Sequence, residues 1–247
     1  MWKHSECTEP LVRMIDQFKT CSQHELEFRI GRMVDGAFRP GVPARFFAQF
    51  DALLGSSRTI RSGQPQQTHV FYHRGPTGAA LRTEVAFESE GLLVRPRTIE
   101  KVRLACVTID MGAHAARITL SKEVPTARVV PIVDTVHVRI RNRTGHAYTG
   151  KSDAPFVRYD MTKTWSGRTK SDAERRQRAD QTPAHELECE MLHNRVYMQE
   201  SSADLAASFL AKLGDVAERV HSSEDAEVRP SSSWKVVVEG CPARAPA

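Results

Sequence analysis

The sequence predicts a mostly β protein, built as a barrel or a sandwich of antiparallel strands with a few helices beside it. Short segments in which charged and apolar residues alternate, the two-residue period of a β-strand, recur through most of the chain. Turn signals such as Asp110-Met111-Gly112 and Gly145 separate these segments. Regular short strands with turns between them favour a barrel or a sandwich over a parallel α/β sheet.

Three apolar stripes at helical spacing predict helices over 8–20, 43–55 and 203–220. The middle helix begins at Pro43 and ends at Gly55, and its phenylalanines are more typical of core packing than of a base-stacking surface. The charged segment 168–180 has no apolar period, which predicts a solvated excursion or, less simply, a contact with RNA phosphates. The predicted strands are 24–31, 68–72, 81–85, 97–107, 115–123, 133–143, 155–165, 185–191 and an edge strand at 234–238, with turn-rich connectors at 38–42 and 56–67 and a loop at 222–233.

The chain length predicts one globular domain spanning 1–247, because a chain of 247 residues can bury a single sizeable core. Charged residues make up 26% and hydrophobic residues 40%, the balance of a soluble protein. The net charge of +5 and the pI near 9.1 suit a polyanionic partner. Five cysteines without Cys-x-x-Cys spacing indicate a reducing compartment. No signal peptide and no membrane-length apolar run is evident, so we expect an intracellular protein without a membrane partner.

Two acidic segments stand far apart in the chain, at 24–30 and 185–191. In the first, Glu25, Glu27 and Arg29 share one strand face, and apolar residues share the other. In the second, Glu186, Glu188 and Glu190 share a face. Like charges about 7 Å apart on one strand repel each other unless a metal ion or arginines lie among them.

Cationic side chains occur at the same two-residue period in the strands between these acidic segments. If all the charged faces pointed to solvent, the apolar backs would form an ordinary thin core. If they pointed into a closed barrel, acids and bases would neutralise each other across a water-filled lumen that could hold an anion together with a cation. The pattern alone does not choose between these arrangements. The alternating charged sets are Arg139, Arg141 and Arg143; Arg117, Thr119, Ser121 and Glu123; Lys101 and Arg103; and Arg158, Asp160 and Thr162.

Five of these motifs, taken in chain order over 24–191, resemble the triphosphate tunnel metalloenzymes, and more narrowly the metal-dependent RNA 5′-triphosphatases of fungi, protozoa and large DNA viruses. The motifs are Glu-x-Glu, Arg-Ile-x-x-Ser-x-Glu, Arg-x-Arg-x-Arg, Asp-x-Thr and Glu-x-Glu-x-Glu. One departure from the family pattern is Arg141, where the family usually has Lys. The resemblance implies a closed, eight-stranded antiparallel tunnel with a charged interior and a few flanking helices, in a single domain spanning 1–247 whose motif core is 24–191. Residues 240–247 are predicted separately, as a disordered tail.

The resemblance also implies three groups of site residues. Glu25, Glu27 and Glu190 would hold Mg²⁺ or Mn²⁺, and Glu186 and Glu188 would support the metal directly or through water. Glu123 would orient or deprotonate the attacking water, and Thr162 would donate a hydrogen bond. Arg117 and Asp160 would fix their neighbours through ion pairs, or would form a buried pair that only organises the lumen. The phosphate-binding set would be Arg82, Lys101, Arg139, Arg141 and Arg143.

The activity that the resemblance implies is removal of the γ-phosphate from triphosphate-ended RNA, the first step of mRNA capping. Nucleoside triphosphates would be side substrates and a guanylyltransferase would be a partner, in the nucleus or, for a viral enzyme, in the cytoplasm. An alternative is another tunnel-family triphosphatase that acts on nucleotides, inorganic triphosphate, polyphosphate or thiamine triphosphate. A third hypothesis, a non-enzymatic nucleic-acid binder, is disfavoured because five glutamates at strand period would repel the ligand.

Two Cys-x5-Arg spacings, Cys7/Arg13 and Cys189/Arg195, match the spacing of a separate class of RNA triphosphatases that use a cysteine nucleophile. A thiolate nucleophile needs a loop of backbone N–H groups and a depressed thiol pKa. Neither segment has a glycine. Cys7 is predicted to lie just before the first helix, and Cys189 to point to the apolar side of its strand. The sequence therefore predicts that neither cysteine is catalytic.

Overall fold

Eight strands of the computed structural model close into an antiparallel barrel, which confirms the predicted fold class. The structure describes residues 5–74, 80–87, 96–126, 135–149, 155–179, 181–223 and 235–239. Most of the predicted loop at 222–233 and the predicted tail at 240–247 lie outside these residues. The strands are β1 (His24–Val34), β2 (Ala37–Pro40), β3 (Ile60–Ser62), β4 (Gln66–Arg74), β5 (Ala80–Phe87), β6 (Arg97–Asp110), β7 (Ala115–Thr126), β8 (Thr135–Tyr148), β9 (Val157–Gly167), β10 (Ala184–Met191) and β11 (Lys235–Glu239).

The order of strands around the barrel is β10-β9-β8-β4-β5-β6-β7-β1, and β1 pairs with β10 to close the circle. Closure therefore joins the two acidic segments, and Glu27 lies directly opposite Glu190 in the β1–β10 ladder. Three short strands extend the barrel wall: β2 pairs with β1, β3 with β8 and β11 with β6. The predicted edge strand at 234–238 is confirmed by β11.

Helices cover the apolar outside of the barrel. They are α1 (Ser5–Lys19), α2 (Ala44–Ser56), α3 (Lys170–Arg178) and α4 (Ser202–Ser223), and a 3₁₀ turn spans Tyr197–Gln199. The main core lies between the outer side chains of β1, β6, β7, β9 and β10 and helices α1, α2 and α4. Phe28 of β1, for example, packs edge-on against Phe209 of α4 with ring centroids 5.2 Å apart. Among the described helices, none has both the length and the apolar composition of a membrane-spanning segment.

The phenylalanine-rich helix is a packing element, as predicted. Phe46, Phe47 and Phe50 of α2 are buried in the main core. Phe50 packs edge-on against Tyr159 of β9, with ring centroids 5.7 Å apart. These rings therefore hold α2 on the barrel and are not a surface for base stacking.

Helix α3 corrects the prediction of a solvated excursion at 168–180. Thr169 caps the helix by accepting a hydrogen bond from the N–H of Asp172, and Glu174 pairs with Lys170 and Arg178 one turn away on either side. Ala173 alone is fully buried, against a small apolar cluster on β4, β5 and β8. A helix that buries one alanine has no apolar period, which is why the sequence pattern missed it.

Three further boundaries differ from the prediction. The predicted connectors at 38–42 and 56–67 overlap the short strands β2 and β3 respectively. Helix α1 includes residues 5–7, so Pro10 lies inside it instead of in its first turn. The β1–β2 turn is formed by Asp35 and Gly36, both with positive φ, which is the two-residue hairpin that Asp-Gly favours.

Candidate active site in the barrel lumen

The charged strand faces point into the barrel, which decides between the two arrangements that the sequence left open. Arg141 of β8 lies 3.2 Å from Glu188 of β10, and Arg29 of β1 lies 3.1 Å from the same carboxylate. Arg139 forms an ion pair with Glu186. These contacts join strands that are far apart in sequence, so opposite charges neutralise each other across the lumen.

The lumen contains a cavity of about 350 Å³ with a strong excess of positive charge. Seven cationic side chains and two carboxylates line it, a balance that suits a ligand with several negative charges. Its cationic lining residues are Arg29, Arg82, Lys101, Arg103, Arg117, Arg139 and Arg141; its carboxylates are Glu27 and Glu188; and Phe38, Pro40, Tyr72, Leu81, Thr119 and Ser121 complete it.

One end of the lumen, which we call the carboxylate end, is formed by Glu25, Glu27 and Glu190. The Lys101 ammonium forms an ion pair with Glu25 and lies 3.5 Å from Glu27. Ser121 Oγ also donates a hydrogen bond to Glu25 at 3.2 Å. Because Glu27 and Glu190 are direct cross-strand neighbours, three carboxylates from two strands share this end.

Glu190 shares its cationic partner, Arg158, with Asp160. Its carboxylate lies 2.6 Å from the Arg158 guanidinium. Burial nevertheless raises the pKa of Glu190 to about 7, and the negative charges of Glu25, Asp160 and Glu27 add to the effect. The carboxylate end therefore resists holding all its charges unless a further cation is present.

The other two predicted metal residues are paired with arginines. Glu188 contacts Arg29 and Arg141, and Glu186 contacts Arg139. Burial alone would raise the pKa of Glu188, but Arg29 and Arg141 hold it well below its usual range. Glu186 and Glu188 thus balance the basic wall of the lumen.

The carboxylate end fits a hard divalent cation in its donor chemistry. Its donors are carboxylate oxygens, which Mg²⁺ and Mn²⁺ prefer, and its electrostatics favour an added positive charge. Within the described ranges, no three carboxylate, imidazole or thiol groups already converge on one point that could hold a metal.

The predicted phosphate-binding residues all face the lumen, in two groups. Arg82 contacts Glu123 at 2.6 Å, and together with Lys101, Arg139 and Arg141 it lines the cavity. Arg143 lies beyond the carboxylate end, 3.5 Å from Asp160. It lines a second pocket of about 370 Å³ at that opening of the barrel, together with Arg61, Arg158 and Asp160.

The predicted catalytic residues are also divided between the two ends. Glu123 is close to the carboxylate end, within 3.6 Å of Lys101. The ion pairs of Asp160 are with Arg143 and Arg158, whereas Arg117 donates from Nε to Thr108 Oγ1 at 3.1 Å near the opposite opening. Arg117 and Asp160 therefore do not form one ion pair. Thr162 is completely buried, and its hydroxyl has no hydrogen-bond partner among the described residues.

Arg29 and Arg158 are lumen residues that the sequence reasoning left out of the site. Each lies two residues from a predicted site residue, Arg29 from Glu27 and Arg158 from Asp160, and therefore on the same strand face. The two-residue period could thus have predicted both. Phe38 was missed because it was assigned to a connector. The Asp35-Gly36 dipeptide, a hairpin signal, would have predicted the strand that carries it.

Neither candidate cysteine is available as a nucleophile. Cys189 is fully buried on the apolar side of β10, as predicted, and burial and then Asp160 raise its pKa. Cys7 lies within α1 and is 1% exposed, so the prediction that it precedes the helix is wrong. Both thiols therefore lie in the main core, away from the lumen.

Comparison with solved structures finds the same architecture in RNA triphosphatases. The S. pombe Pct1 RNA triphosphatase superposes with a TM-score of 0.61 at 14% identity, over 87% of this chain and 91% of that chain. The chain shares the fold of these enzymes. A mimivirus capping enzyme triphosphatase gives a TM-score of 0.57 at 12% identity, over 87% and 97% of the two chains.

A structure of Pct1 in complex with the Spt5 CTD also matches, with a TM-score of 0.58 at 14% identity over 89% of this chain and 92% of that chain. By sequence alone, neither a protein-family model nor a curated protein matches this chain. The fold that the strand motifs predict is thus confirmed by tertiary structure and not by overall sequence similarity.

Proposed function

We propose that the chain is a metal-dependent RNA 5′-triphosphatase that removes the γ-phosphate from triphosphate-ended RNA, the first step of mRNA capping. The observation that carries the proposal is the lumen itself, in which three carboxylates at one end adjoin a cavity lined by seven cationic side chains. This change from negative to positive charge along the lumen suits a triphosphate whose terminal phosphate binds a metal at the carboxylate end. The RNA triphosphatases that share the fold support the same substrate class.

The chemistry needs positioning and charge stabilisation more than covalent participation. Glu25, Glu27 and Glu190 would hold Mg²⁺ or Mn²⁺, which when bound neutralises charge on the phosphate oxygens. Arg82, Arg139 and Arg141 bind the phosphates, because a planar guanidinium donates two parallel hydrogen bonds to one phosphoryl group.

In this proposal, Glu123 orients the attacking water or accepts its proton. The ammonium of Lys101 lies 3.6 Å from Glu123, close to Glu25 and Glu27, so the acceptor carboxylate is next to the proposed metal ligands. Thr162 supplies a hydroxyl whose hydrogen bond is still unused among the described residues. Asp160 acts as a positioning residue, since it holds Arg143 and Arg158 in place.

The decisive experiment is a turnover assay with purified protein and Mg²⁺ or Mn²⁺. Triphosphate-ended RNA, ATP and inorganic triphosphate are compared at equal concentration, and phosphate release is measured together with the 5′ end of the RNA. We expect a diphosphate-ended RNA product, with the nucleotide hydrolysed less efficiently. Turnover of inorganic triphosphate or a nucleotide without RNA hydrolysis would instead favour the other tunnel-family triphosphatases.

Partners and location follow from this activity as further proposals. A guanylyltransferase would consume the diphosphate end, and capping would place the enzyme in the nucleus or, for a viral enzyme, in the cytoplasm. A pull-down of the full chain with a guanylyltransferase would test the first proposal, and imaging of the tagged chain would test the second.

A further inference from the structure

The opening of the lumen opposite the carboxylate end combines aromatic and cationic side chains. We call this the basic opening, formed by Phe38, Tyr72, Arg103, Arg117 and Arg139, all of which line the cavity. The strand ladders bring these residues together: the end of β1 pairs with both β2 and the start of β7, and Tyr72 at the end of β4 lies opposite His137 at the start of β8.

Phe38 is held as a fixed platform at this opening. The guanidinium of Arg117 lies over the Phe38 ring, 4.7 Å from its centroid. A Cβ at Gly31 would clash with the carbonyl oxygen of Arg39 and lie 2.9 Å from the Phe38 ring, so the glycine lets the β2 backbone, and the ring with it, lie close to β1. The ring is only half-buried, whereas the core phenylalanines Phe28 and Phe209 are completely buried.

The two ends of the lumen fix the direction in which a triphosphate lies. From Glu25 to Arg29, β1 advances four residues, which is about 13 Å along the strand. A terminal phosphate at the carboxylate end therefore directs the nucleoside towards Arg29 and the basic opening. At the other opening, the lining described for the second pocket has Arg61, Arg143 and Arg158 but no aromatic ring.

We propose that triphosphate-ended RNA enters through the basic opening and that its first base stacks on the platform of Phe38 and Arg117. Aromatic rings and guanidinium planes both stack on bases without strong sequence preference, which suits transcripts with different first nucleotides. Arg103 and Arg139 supply positive charge for the adjoining backbone. The proposal rests on the proposed function and adds the orientation of the substrate and the group that distinguishes RNA from inorganic triphosphate.

Kinetic selectivity provides the first test. Loss of one base–aromatic stack corresponds to roughly tenfold in affinity or more. We expect Phe38→Leu to lower the ratio of kcat/KM for triphosphate-ended RNA to kcat/KM for inorganic triphosphate by about tenfold. Phe38→Trp should keep the ratio. The matched control is Phe87→Leu, which removes a half-buried ring from the outer cluster beside His69.

Fluorescence provides a readout that a merely structural role for Phe38 would not change. An RNA with an imido group at the β–γ bridge and 2-aminopurine as its first base binds without being hydrolysed. Stacking quenches 2-aminopurine, so we expect quenching in wild type and Phe87→Leu and its loss in Phe38→Leu. The same label placed five nucleotides downstream should report no difference between the variants.

The two proposals fail in distinguishable ways. If wild type releases phosphate from RNA but quenching is independent of Phe38, the platform is wrong and the proposed function stands. An unchanged selectivity ratio in Phe38→Leu would contradict the platform equally. If no γ-phosphate is released from RNA, the proposed function is wrong, and loss of quenching in Phe38→Leu would still establish the platform as a site for a triphosphate-ended strand.

Discussion

Glu188 and Glu190 lie two residues apart on one face of β10, yet their electrostatic environments are opposite. Glu188 sits between Arg29 and Arg141 at 3.1 and 3.2 Å, and these arginines lower its pKa against the effect of burial. Glu190 has Arg158 at 2.6 Å, but burial and the carboxylates around it raise its pKa to about 7.

The difference separates two parts of the lumen. In the middle, carboxylates and guanidiniums are matched, so Glu188 is a fixed part of the wall. At the carboxylate end, Lys101 and Arg158 are each shared between two or more carboxylates, so Glu190 is less fully balanced. A matched group serves to position its neighbours, whereas an unmatched group is suited to receive a cation or a proton. Five predictions test this contrast and the lumen site to which it belongs.

The largest expected effect is the loss of activity when the carboxylate end is neutralised. Replacing Glu25, Glu27 or Glu190 by Gln keeps the size but removes the charge that a hard cation needs, so turnover should fall by orders of magnitude. Far-UV circular dichroism should change little. Glu174→Gln, the same change on the outside of the barrel, is the control. Full turnover in excess chelator would refute the metal site.

Removal of Arg141 from the matched region should have the next largest effect. We expect Arg141→Ala to lose about 10²–10³ in kcat, because one charge-assisted contact to a phosphoryl group disappears. Arg141→Lys should retain substantial activity, since Lys is the usual residue of the resembled family at this position. Arg141→Ala also removes one of the ion-pair partners of the buried Glu188, which lowers stability. Thermal melting of both variants therefore distinguishes a loss of catalysis from a loss of folded protein. Wild-type activity in the Ala variant would contradict phosphate binding by Arg141.

The pH dependence of metal affinity should sharpen the contrast further. Because the pKa of Glu190 is raised to about 7, protons compete with the metal below that pH. Calorimetric titration with Mn²⁺ should show affinity rising with pH and levelling off above about 7, with roughly hundredfold weaker binding at pH 5. Glu190→Gln should remove this dependence, and a dependence that persists in Glu190→Gln would assign it to another group.

The same pKa has the opposite consequence for the metal-free protein. The folded state binds the Glu190 proton more tightly than the unfolded chain does. Its contribution to stability is therefore complete below the ordinary pKa of 4.5 and is lost as pH rises to about 7. Chemical denaturation between these pH values, in wild type and Glu190→Gln, would measure the difference.

The smallest expected effect is that of the cysteines. Cys7→Ser and Cys189→Ser should each keep most of the activity, since both thiols are buried outside the lumen. Cys189→Ser buries a hydroxyl in the core and should lower the melting temperature more than Cys189→Ala does. A trapped phosphocysteine, or metal-free activity that Cys7→Ser abolishes, would overturn the lumen mechanism.

Much of the fold could be predicted from local pattern. The two-residue period located every barrel strand and gave the parity of Glu25, Arg141 and Cys189 correctly, because parity depends only on neighbours along the chain. Helix α3 could not be found in this way. Its capping by Thr169 is a local signal, but its single buried residue, Ala173, is selected by the cluster beneath it.

The candidate site could be predicted as a set of residues but not as a set of contacts. By itself the sequence determined which residues share a strand face and the net excess of positive charge between the two acidic strands. Only the tertiary structure decided that these faces point inward, that Glu27 lies opposite Glu190, and that Asp160 pairs with Arg143 and Arg158 instead of Arg117. There are two physical reasons. A two-residue period defines two faces of a strand but does not determine which face is enclosed. A charge buried on one strand is balanced by a strand more than a hundred residues away only once the barrel closes.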